Sequence, residues 1–166
     1  MKKIGIYYGS VMGNTSGAAE QIADLLGDGA TAIDVSGDTK FIDYDVLIMG
    51  TSTWGLGELQ DDWYSALDAL KSADLAGKSV AVFGMGDQES YNDTFVDGMR
   101  DLYDAAIGAG ATAVGACGAD GYDFSESRAS EGDGFIGLAL DDDNQSELTA
   151  SRIEAWVTQL KEELGL

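Results

Sequence analysis

Small and hydroxyl-bearing residues follow a short apolar run near the start of the chain, and together they have the composition of an anion site. The run is IGIYY at residues 4–8, and GSVMGNT at residues 9–15 comes directly after it. A helix-forming segment follows, so the pattern predicts a strand, a loop and a helix start, where free N–H groups and the helix dipole favour negative charge. Because residues 9–15 contain no Lys and no Arg, amide and hydroxyl groups alone would have to hold a phosphate there.

This segment does not match the common phosphate-binding motifs. It lacks the Gly-Lys-Ser/Thr ending of a Walker A sequence, and it is not GxGxxG. A structural turn with Asn14 or Thr15 as the helix cap would explain the same composition. The segment by itself therefore leaves both interpretations open.

Two other segments combine glycine with an aromatic residue just after a predicted strand. TSTWGLGELQ at residues 51–60 surrounds Trp54 with small residues that cannot bury it, which favours a ligand platform. GMGDQESYND at residues 84–93 places Tyr91 in a similar setting. Trp63 and Trp156 lie in helical patterns and are predicted to belong to the core. Two aromatic residues on neighbouring loops could enclose a flat ring, and an adjacent phosphate site then suggests a ligand shaped like flavin mononucleotide (FMN).

The elements that would position these segments alternate between strand and helix. Strands are predicted near residues 3–8, 30–35, 45–51, 78–84 and 111–117, and helices near 15–26, 61–73, 94–109 and 146–164. Such alternation predicts a parallel sheet with right-handed crossovers and helices on both faces. Ligands of such sheets bind at the carboxyl ends of the strands. We therefore expect the loops after strands one, three and four to converge.

Residues 118–145 break this rhythm because they are long for a connection between a strand and a helix. They contain many carboxylates and a single base, Arg128, and the piece GFIGLAL within them has the composition of a strand. The simplest arrangement is a fifth strand that is interrupted by an excursion and then resumed.

Composition limits the chemistry. The 166 residues, which we expect to form one domain, include 30 acids against 9 bases, a formal charge of -21. Such a charge disfavours nucleic acid and anionic membranes and favours basic partner surfaces, although adaptation to salt would also explain it.

The chain has no His and one cysteine, Cys117, expected to be a small buried residue. A histidine-based catalytic triad is thereby excluded, and a zinc site is disfavoured. No apolar run approaches the roughly 20 residues of a membrane helix, and no signal peptide is evident.

Taken together, these segments resemble flavodoxins over essentially the whole chain. The resemblance is carried by YYGSxxGNT, TWGxGELQDDW, FGxGDQxxYxDxF and GYDFxxSxA…GFIGLALDDDNQ. The interrupted fifth strand is similar to that of the long-chain members. The resemblance implies an α/β three-layer sandwich with a doubly wound five-stranded parallel sheet in the order 2-1-3-4-5, the order known for flavodoxins.

The function implied by the resemblance is electron transfer without catalysis of a reaction. The chain would bind FMN non-covalently and carry one electron at a time at low potential, through semiquinone and hydroquinone states. Its partners would be redox proteins with basic docking surfaces, such as ferredoxin–NADP reductase, photosystem I or other reductases. We also expect a monomer. The lack of a long apolar run and of a signal peptide leads us to expect a cytoplasmic protein without membrane insertion.

The resemblance also assigns cofactor contacts by position. The phosphate would be held by residues 10–15, Trp54 and Tyr91 would lie against the two ring faces, and Asp87 would meet the pyrimidine edge. The full set comprises Ser10, Val11, Met12, Gly13, Asn14, Thr15, Thr53, Trp54, Gly55, Leu56, Gly57, Met85, Gly86, Asp87, Tyr91, Thr94 and Asp143. Flavodoxins usually carry Thr at the position of Met12, so one phosphate-binding hydroxyl is missing here and affinity is expected to be lower.

Two features of these residues would tune the flavin. Carboxylates in and beside the predicted loops, among them Glu58, Asp87 and Asp93, disfavour the addition of negative charge to the ring. The resemblance implies that the peptide after the ring-facing Trp54 rotates to offer its carbonyl to the protonated semiquinone. Here that residue is Gly55, which accepts positive φ without steric cost. A Gly55→Ala variant should then have a less stable semiquinone, and unchanged midpoint potentials would contradict this hypothesis.

Three other functions were weighed. An FMN-dependent NAD(P)H–quinone reductase of the same fold needs space over the ring that a stacked Tyr91 would fill. A receiver-type signalling domain needs an acidic cluster and a phospho-acceptor Asp, where this chain has Gly-Ser and Thr-Ser. A relic of the fold that binds partners without FMN is kept open by Met12.

Overall fold

The computed structural model describes residues 2–9, 13–54 and 57–166, and of Trp54 it describes the backbone alone. Within these ranges the α-helices are α1 Asn14–Leu26, α2 Asp61–Ser72, α3 Gly98–Gly108 and α4 Ser146–Leu164, with a 3-10 helix at Phe41–Asp43. No helix in this described part of the chain is long and apolar enough to cross a membrane. The strands are β1 Ile4–Tyr8, β2 Ala30–Asp34, β3 Val46–Trp54, β4 Glu58–Leu59, β5 Ser79–Met85, β6 Thr112–Ala113, β7 Cys117–Gly118, β8 Ser130–Glu131, β9 Gly134–Phe135 and β10 Leu138–Leu140.

The main sheet is parallel, apart from the short β4, and has the predicted order. Strand β1 lies between β2 and β3, and β5 lies on the other side of β3. Both β6 and β10 pair with β5 and together occupy the fifth position, so the order 2-1-3-4-5 is confirmed. The short β4 runs antiparallel to the end of β3.

The fifth strand is interrupted, as predicted. Strand β6 pairs with β5 at Ser79 and Val80, whereas β10 pairs with it from Phe83 to Met85. Between them the chain forms a second, three-stranded antiparallel sheet in the order β7-β9-β8. Cys117 lies in β7 rather than in the main sheet, and burial, with a contribution from Glu163, raises the pKa of its thiol to about 12. The thiol is therefore a poor nucleophile at neutral pH.

Helices pack on both faces of the sheet, which explains why its central strands are continuously apolar. On one face α1 and α4 contribute buried residues such as Ile22 and Trp156, and on the other α2 and α3 contribute residues such as Trp63 and Leu102. The two tryptophans are core residues, as predicted. Each indole N–H donates to a backbone oxygen, Trp63 to Gly50 and Trp156 to Gly115, both at 2.8 Å. Buried indoles retain such a partner because an unpaired N–H would be costly.

Helix α3 begins at Gly98, so the prediction of a helix from residue 94 was wrong at its start. The cause is Val96, whose φ of 49° lies in the left-handed region and interrupts helical geometry. A β-branched residue rarely adopts such a φ, and the sequence pattern gives no sign of it. The turn that results places Phe95 and Val96 in the core.

Candidate functional site

Three loops leave the main sheet side by side at the carboxyl ends of its strands. The first loop (residues 9–13) follows β1, the second loop (residues 55–57) follows β3, and the third loop (residues 86–97) follows β5. Register places Tyr8 beside Gly50 and Ser52 beside Met85. The strand ends that lead into the three loops are therefore adjacent, as predicted, while residues 10–12, 55 and 56 lie outside the described residues.

The first loop ends at Gly13, whose φ of 86° would be strained in any residue with a side chain. Helix α1 begins at the next residue, and its first turn, Asn14-Thr15-Ser16, contains no carboxylate. Thr15 is buried, whereas Gly13 and Asn14 are exposed. The predicted contacts at Ser10, Val11 and Met12 lie outside the described residues.

Gly9 brings the first loop against the start of α2. A Cβ at this position would overlap the side-chain oxygen of Gln60 and approach Trp63 to 3.1 Å. The same Gln60 oxygen accepts from the backbone N–H of Asp62 at 2.9 Å and so caps α2. Since the cap and the loop share this space, a side chain at residue 9 would displace the Gln60 cap of α2.

The structure describes the residues that flank the second loop and, of the loop itself, Gly57. Gly55, Leu56 and the side chain of Trp54 lie outside what the structure describes. Thr53, just before the loop, accepts a hydrogen bond at Oγ1 from the backbone N–H of Gly98 at 3.0 Å. Gly57, which closes the loop, has a φ of 93°. Strand β4 then pairs back onto Thr53 and Trp54, which holds the two stems of the loop together.

The third loop is organised around Asp87. Its carboxylate accepts from the backbone N–H groups of Glu89 and Ser90 and from the side-chain amide of Asn144. Although partial burial opposes it, these hydrogen bonds lower the pKa of Asp87, so the group is ionised at neutral pH. The backbone N–H of Tyr91 donates to the carbonyl of Asp87, and the residue is 48% exposed.

Other predicted contacts on this side occupy different environments. Gly86 is half-buried, and a Cβ there would lie 3.0 Å from both Phe95 and Val96. The side chain of Met85 is buried in the core between the sheet, α1 and α4. Asp143 is exposed as a residue. Partial desolvation of its carboxyl, together with the charges of Asp87 and neighbouring acids, raises its pKa.

Thr94 carries a buried polar atom that the described residues leave unsatisfied. Its Oγ1 has no hydrogen-bond partner among residues 2–9, 13–54 and 57–166. A buried hydroxyl without a partner costs about 1–3 kcal/mol. The resemblance implies a contact from this residue to the flavin or the ribityl chain.

Asp141 is a residue of this region that sequence reasoning missed. It is fully buried and accepts hydrogen bonds from the backbone and side chain of both Gln88 and Asn144 and from the backbone of Asp143. It thereby fixes the third loop to the end of β10. In the sequence it stands in the acidic run DDDN, where nothing distinguishes it from solvated neighbours.

A segment of the excursion, residues 122–129, lies along the back of the third loop, and we call it the strap. Its polar groups donate to acceptors of the third loop, and donors and acceptors follow the same order along the two segments. The donor–acceptor pairs are Asp123 N to Gln88 Oε1, Ser125 N and Glu126 N to Asn92 O, Ser127 Oγ to Phe95 O, and Arg128 N to Asp97 Oδ1. The strap thus supports the loop that carries Tyr91 and Thr94.

Comparison with known proteins is consistent with this arrangement. The chain matches the family model described as flavodoxin over residues 6–156. It is 48% identical to the flavodoxin of a Nostoc species, with 99% of each chain covered. It is 43% identical to flavodoxin 1 of Escherichia coli, covering 98% of this chain and 94% of that one. The solved flavodoxin of Fusobacterium nucleatum bound to flavin mononucleotide is 36% identical, superimposes with a TM-score of 0.93, and covers 98% of this chain and 99% of its own. The chain therefore belongs to the flavodoxin family.

Proposed function

We propose that the protein binds FMN non-covalently and carries single electrons between redox proteins. The observation that carries the proposal is the convergence, at one sheet edge, of two complementary features. One is the exposed start of α1, which has no carboxylate in its first turn. The other is the third loop, with the half-exposed ring of Tyr91 and the unpartnered hydroxyl of Thr94. These features suit a phosphate and a planar polar ring, the two parts of FMN.

The first loop and the first turn of α1 would hold the phosphate, through residues Ser10, Val11, Met12, Gly13, Asn14 and Thr15. Backbone N–H groups at a helix start point outward, and the helix dipole adds roughly half a positive charge there. No lysine or arginine in residues 9–15 neutralises the phosphate. The bound group would therefore keep its negative charge close to the ring.

The second and third loops would enclose the ring. Thr53, Trp54, Gly55, Leu56 and Gly57 would line one face, and Tyr91 would stack on the other. Met85, Gly86 and Asp87 would meet the polar edge, with Met85 contributing through its backbone because its side chain is buried in the core. Thr94 and Asp143 would contact the ring or the ribityl chain.

The chain's own residues would set how strongly electrons are held. When bound, FMN supplies the redox chemistry by accepting and releasing electrons one at a time. Asp87 is ionised at neutral pH because its hydrogen bonds lower its pKa. A fixed negative charge near the ring disfavours further negative charge on it, and the aromatic walls strengthen this effect by excluding water. The protein would thus be a low-potential donor.

Charge also suggests the class of partner. With a formal charge of -21, the protein is steered toward basic surfaces, and short-lived electrostatic complexes suit an electron shuttle. Ferredoxin–NADP reductase, photosystem I and other reductases present the kind of redox partner envisaged. We further propose that residues 1–166 act as one cytoplasmic, monomeric domain.

The proposal is tested by recording the visible spectrum of the FMN-loaded protein during stepwise anaerobic reduction. We expect flavin bands in the purified protein and two separated one-electron steps, seen as a long-wavelength absorbance that rises and then falls. A single two-electron step, or failure of the apoprotein to bind FMN, would contradict the proposal. Turnover of quinone with NADPH alone would favour the reductase instead.

A further inference from the structure

The dipeptide Asp97–Gly98 contacts both stems of the second loop. Gly98 donates its backbone N–H to Oγ1 of Thr53, just before the loop. The side chain of Asp97 lies against Gly57, such that a Cβ built on Gly57 would be 2.7 Å from Oδ2. Thr53, just before the second loop, and Gly57, its last residue, are thus contacted by two consecutive residues at the start of α3.

The carboxylate of Asp97 is buried, with only 3% of the residue exposed. Its Oδ1 accepts from the backbone N–H of Arg128 in the strap at 2.8 Å. Burial raises the pKa of this carboxyl; the Arg128 hydrogen bond and charge oppose that shift, whereas the charges of Asp101 and Asp93 add to it. A buried carboxylate is costly unless it is hydrogen-bonded, so the bond from Arg128 links the burial of Asp97 to the strap.

The backbone around Asp97 is also unusual. Val96, the preceding residue, has a φ of 49°, a conformation that costs a β-branched residue of the order of 1–3 kcal/mol. Gly98 has little room for a side chain, since a Cβ would lie 3.1 Å from Thr51 and 3.3 Å from Thr53. Strain on one side and close packing on the other aim the carboxylate of Asp97 at Gly57 and the strap.

We propose that Asp97 is a positioning residue that holds Gly57, and with it the β4 stem of the second loop, to the third loop and the strap, and so sets the spacing of the stems at the ring site. The inference rests on the proposed function, because the spacing matters only if the two loops enclose a flavin. Asp97 acts here through Gly57 and Arg128, and its hydrogen-bond acceptor, rather than its charge, performs the positioning. The strap then serves as the outer anchor of the second loop as well as of the third.

The test uses the full-length apoprotein with Asp97→Ala, which removes the acceptor, and Asp97→Asn, which keeps an oxygen for the Arg128 N–H. Asp101→Asn is the matched control, since Asp101 lies one turn further along α3 and receives the Arg128 side chain at 3.1 Å. Two quantities are measured. They are the amide exchange rates of Gly98 and Leu59 without flavin, and the FMN dissociation constant by quenching of flavin fluorescence. If Asp97→Ala does not fold, Asp97→Ser, which also removes the carboxylate, replaces it.

We expect Asp97→Ala to accelerate exchange at both amides and to weaken FMN binding about tenfold, the effect of one buried hydrogen bond. The Asp97→Asn and Asp101→Asn variants should stay within about threefold of the unmodified protein, less than such a loss. Unchanged FMN affinity in Asp97→Ala would overturn the inference, as would weaker affinity with unchanged exchange. An equal loss in Asp97→Asn would also overturn it, because the effect would then belong to the charge. If the unmodified apoprotein does not bind FMN, the proposed function fails, and the exchange rates alone decide whether Asp97 holds the second loop.

Discussion

The start of α1 and the third loop flank the same edge of the sheet, yet their polar groups are satisfied in different ways. Around the third loop, Asp87 and Asp141 accept hydrogen bonds from the loop itself and from the turn before α4. The strap occupies several of the remaining acceptors. At the start of α1, the residues Gly13 and Asn14 are exposed, and the first turn has no carboxylate.

The other helices show that this difference is specific to α1. Helix α2 has Asp61 and Asp62 in its first turn and Gln60 as its cap, and the first turns of α3 and α4 contain Asp101 and Glu147. A carboxylate in the first turn stabilises a helix by about 0.3–1 kcal/mol. In a chain with 30 acids, the first turn of α1 carries no carboxylate of its own. Under the proposed function, one end of the site is kept for a ligand charge, whereas the other is built in advance by the chain.

The largest expected effect tests the prebuilt end. Replacing Asp141 by Ala leaves the buried donors of Gln88 and Asn144 without their acceptor. We expect the apoprotein to lose about 3 kcal/mol or more of unfolding free energy, measured by urea denaturation. Asp143→Ala is the control in the same turn. Because Asp143 is exposed, its loss should change stability by less than about 0.5 kcal/mol. Equal losses in the two variants would remove the distinction between the ends.

The next effect tests the end kept for the ligand. Asn14→Asp adds a carboxylate to the first turn of α1 and should raise the stability of the apoprotein by about 0.3–1 kcal/mol. The same charge repels a phosphate, so FMN affinity should fall about tenfold. We therefore expect stability, measured by urea denaturation, to rise while FMN affinity, measured by flavin titration, falls. Glu147→Gln in α4 should lower the unfolding free energy by a similar amount and leave FMN affinity unchanged. A loss of FMN affinity in this variant would contradict the assignment of the phosphate to the start of α1.

A pair of glycines in the same region separates backbone strain from space. A Cβ on Gly13 or on Gly17 would meet no heavy atom within 4 Å, but only Gly13 has a positive φ, 86°. Gly13→Ala should therefore lower the unfolding free energy by about 1 kcal/mol. Gly17→Ala, in the exposed interior of α1, should raise it by about 0.5–1 kcal/mol. The same sign for both would show that φ does not govern the start of α1.

The smallest effect concerns pH at the third loop. Hydrogen bonds lower the pKa of Asp87 in the folded protein despite partial burial, which acts in the opposite direction. Its ionised form therefore stabilises the fold above the pKa of the unfolded chain, about 3.9, and this contribution disappears as pH falls through the lower folded value. The stability difference between the unmodified protein and Asp87→Asn should shrink from pH 7 to pH 3. A difference that grows toward low pH would contradict the sign.

Sequence reasoning recovers most of the framework of the site. The first four strands of the main sheet, α1, α2 and α4 lie within a few residues of their predicted bounds, because each has a clear apolar pattern. The strand predicted over residues 111–117 was too long, since only Thr112–Ala113 pairs with β5 and Cys117 lies in the second sheet. The convergence of the three loops follows from the rule that parallel strands end at one edge. The interrupted fifth strand was also predicted, since GFIGLAL repeats a strand composition after the excursion.

What the sequence did not predict depends on contacts between distant segments. The strands of the second sheet are two residues long, and their pairing is set by tertiary contacts rather than local pattern. The late start of α3 depends on the left-handed Val96. Asp97 and Asp141 carry no local mark, because a buried carboxylate has the same sequence pattern as a solvated one. Their roles became visible only with their partners Arg128 and Gln88.

The central claim, that the start of α1 is kept for the phosphate of FMN, is tested most directly by titrating the apoprotein with FMN and with riboflavin, which has the same ring and no phosphate. The account predicts that FMN binds about a hundredfold more tightly, the worth of one or two hydrogen bonds to a charged group. It also predicts that Asn14→Asp narrows this ratio. Equal affinities for the two flavins would contradict the claim.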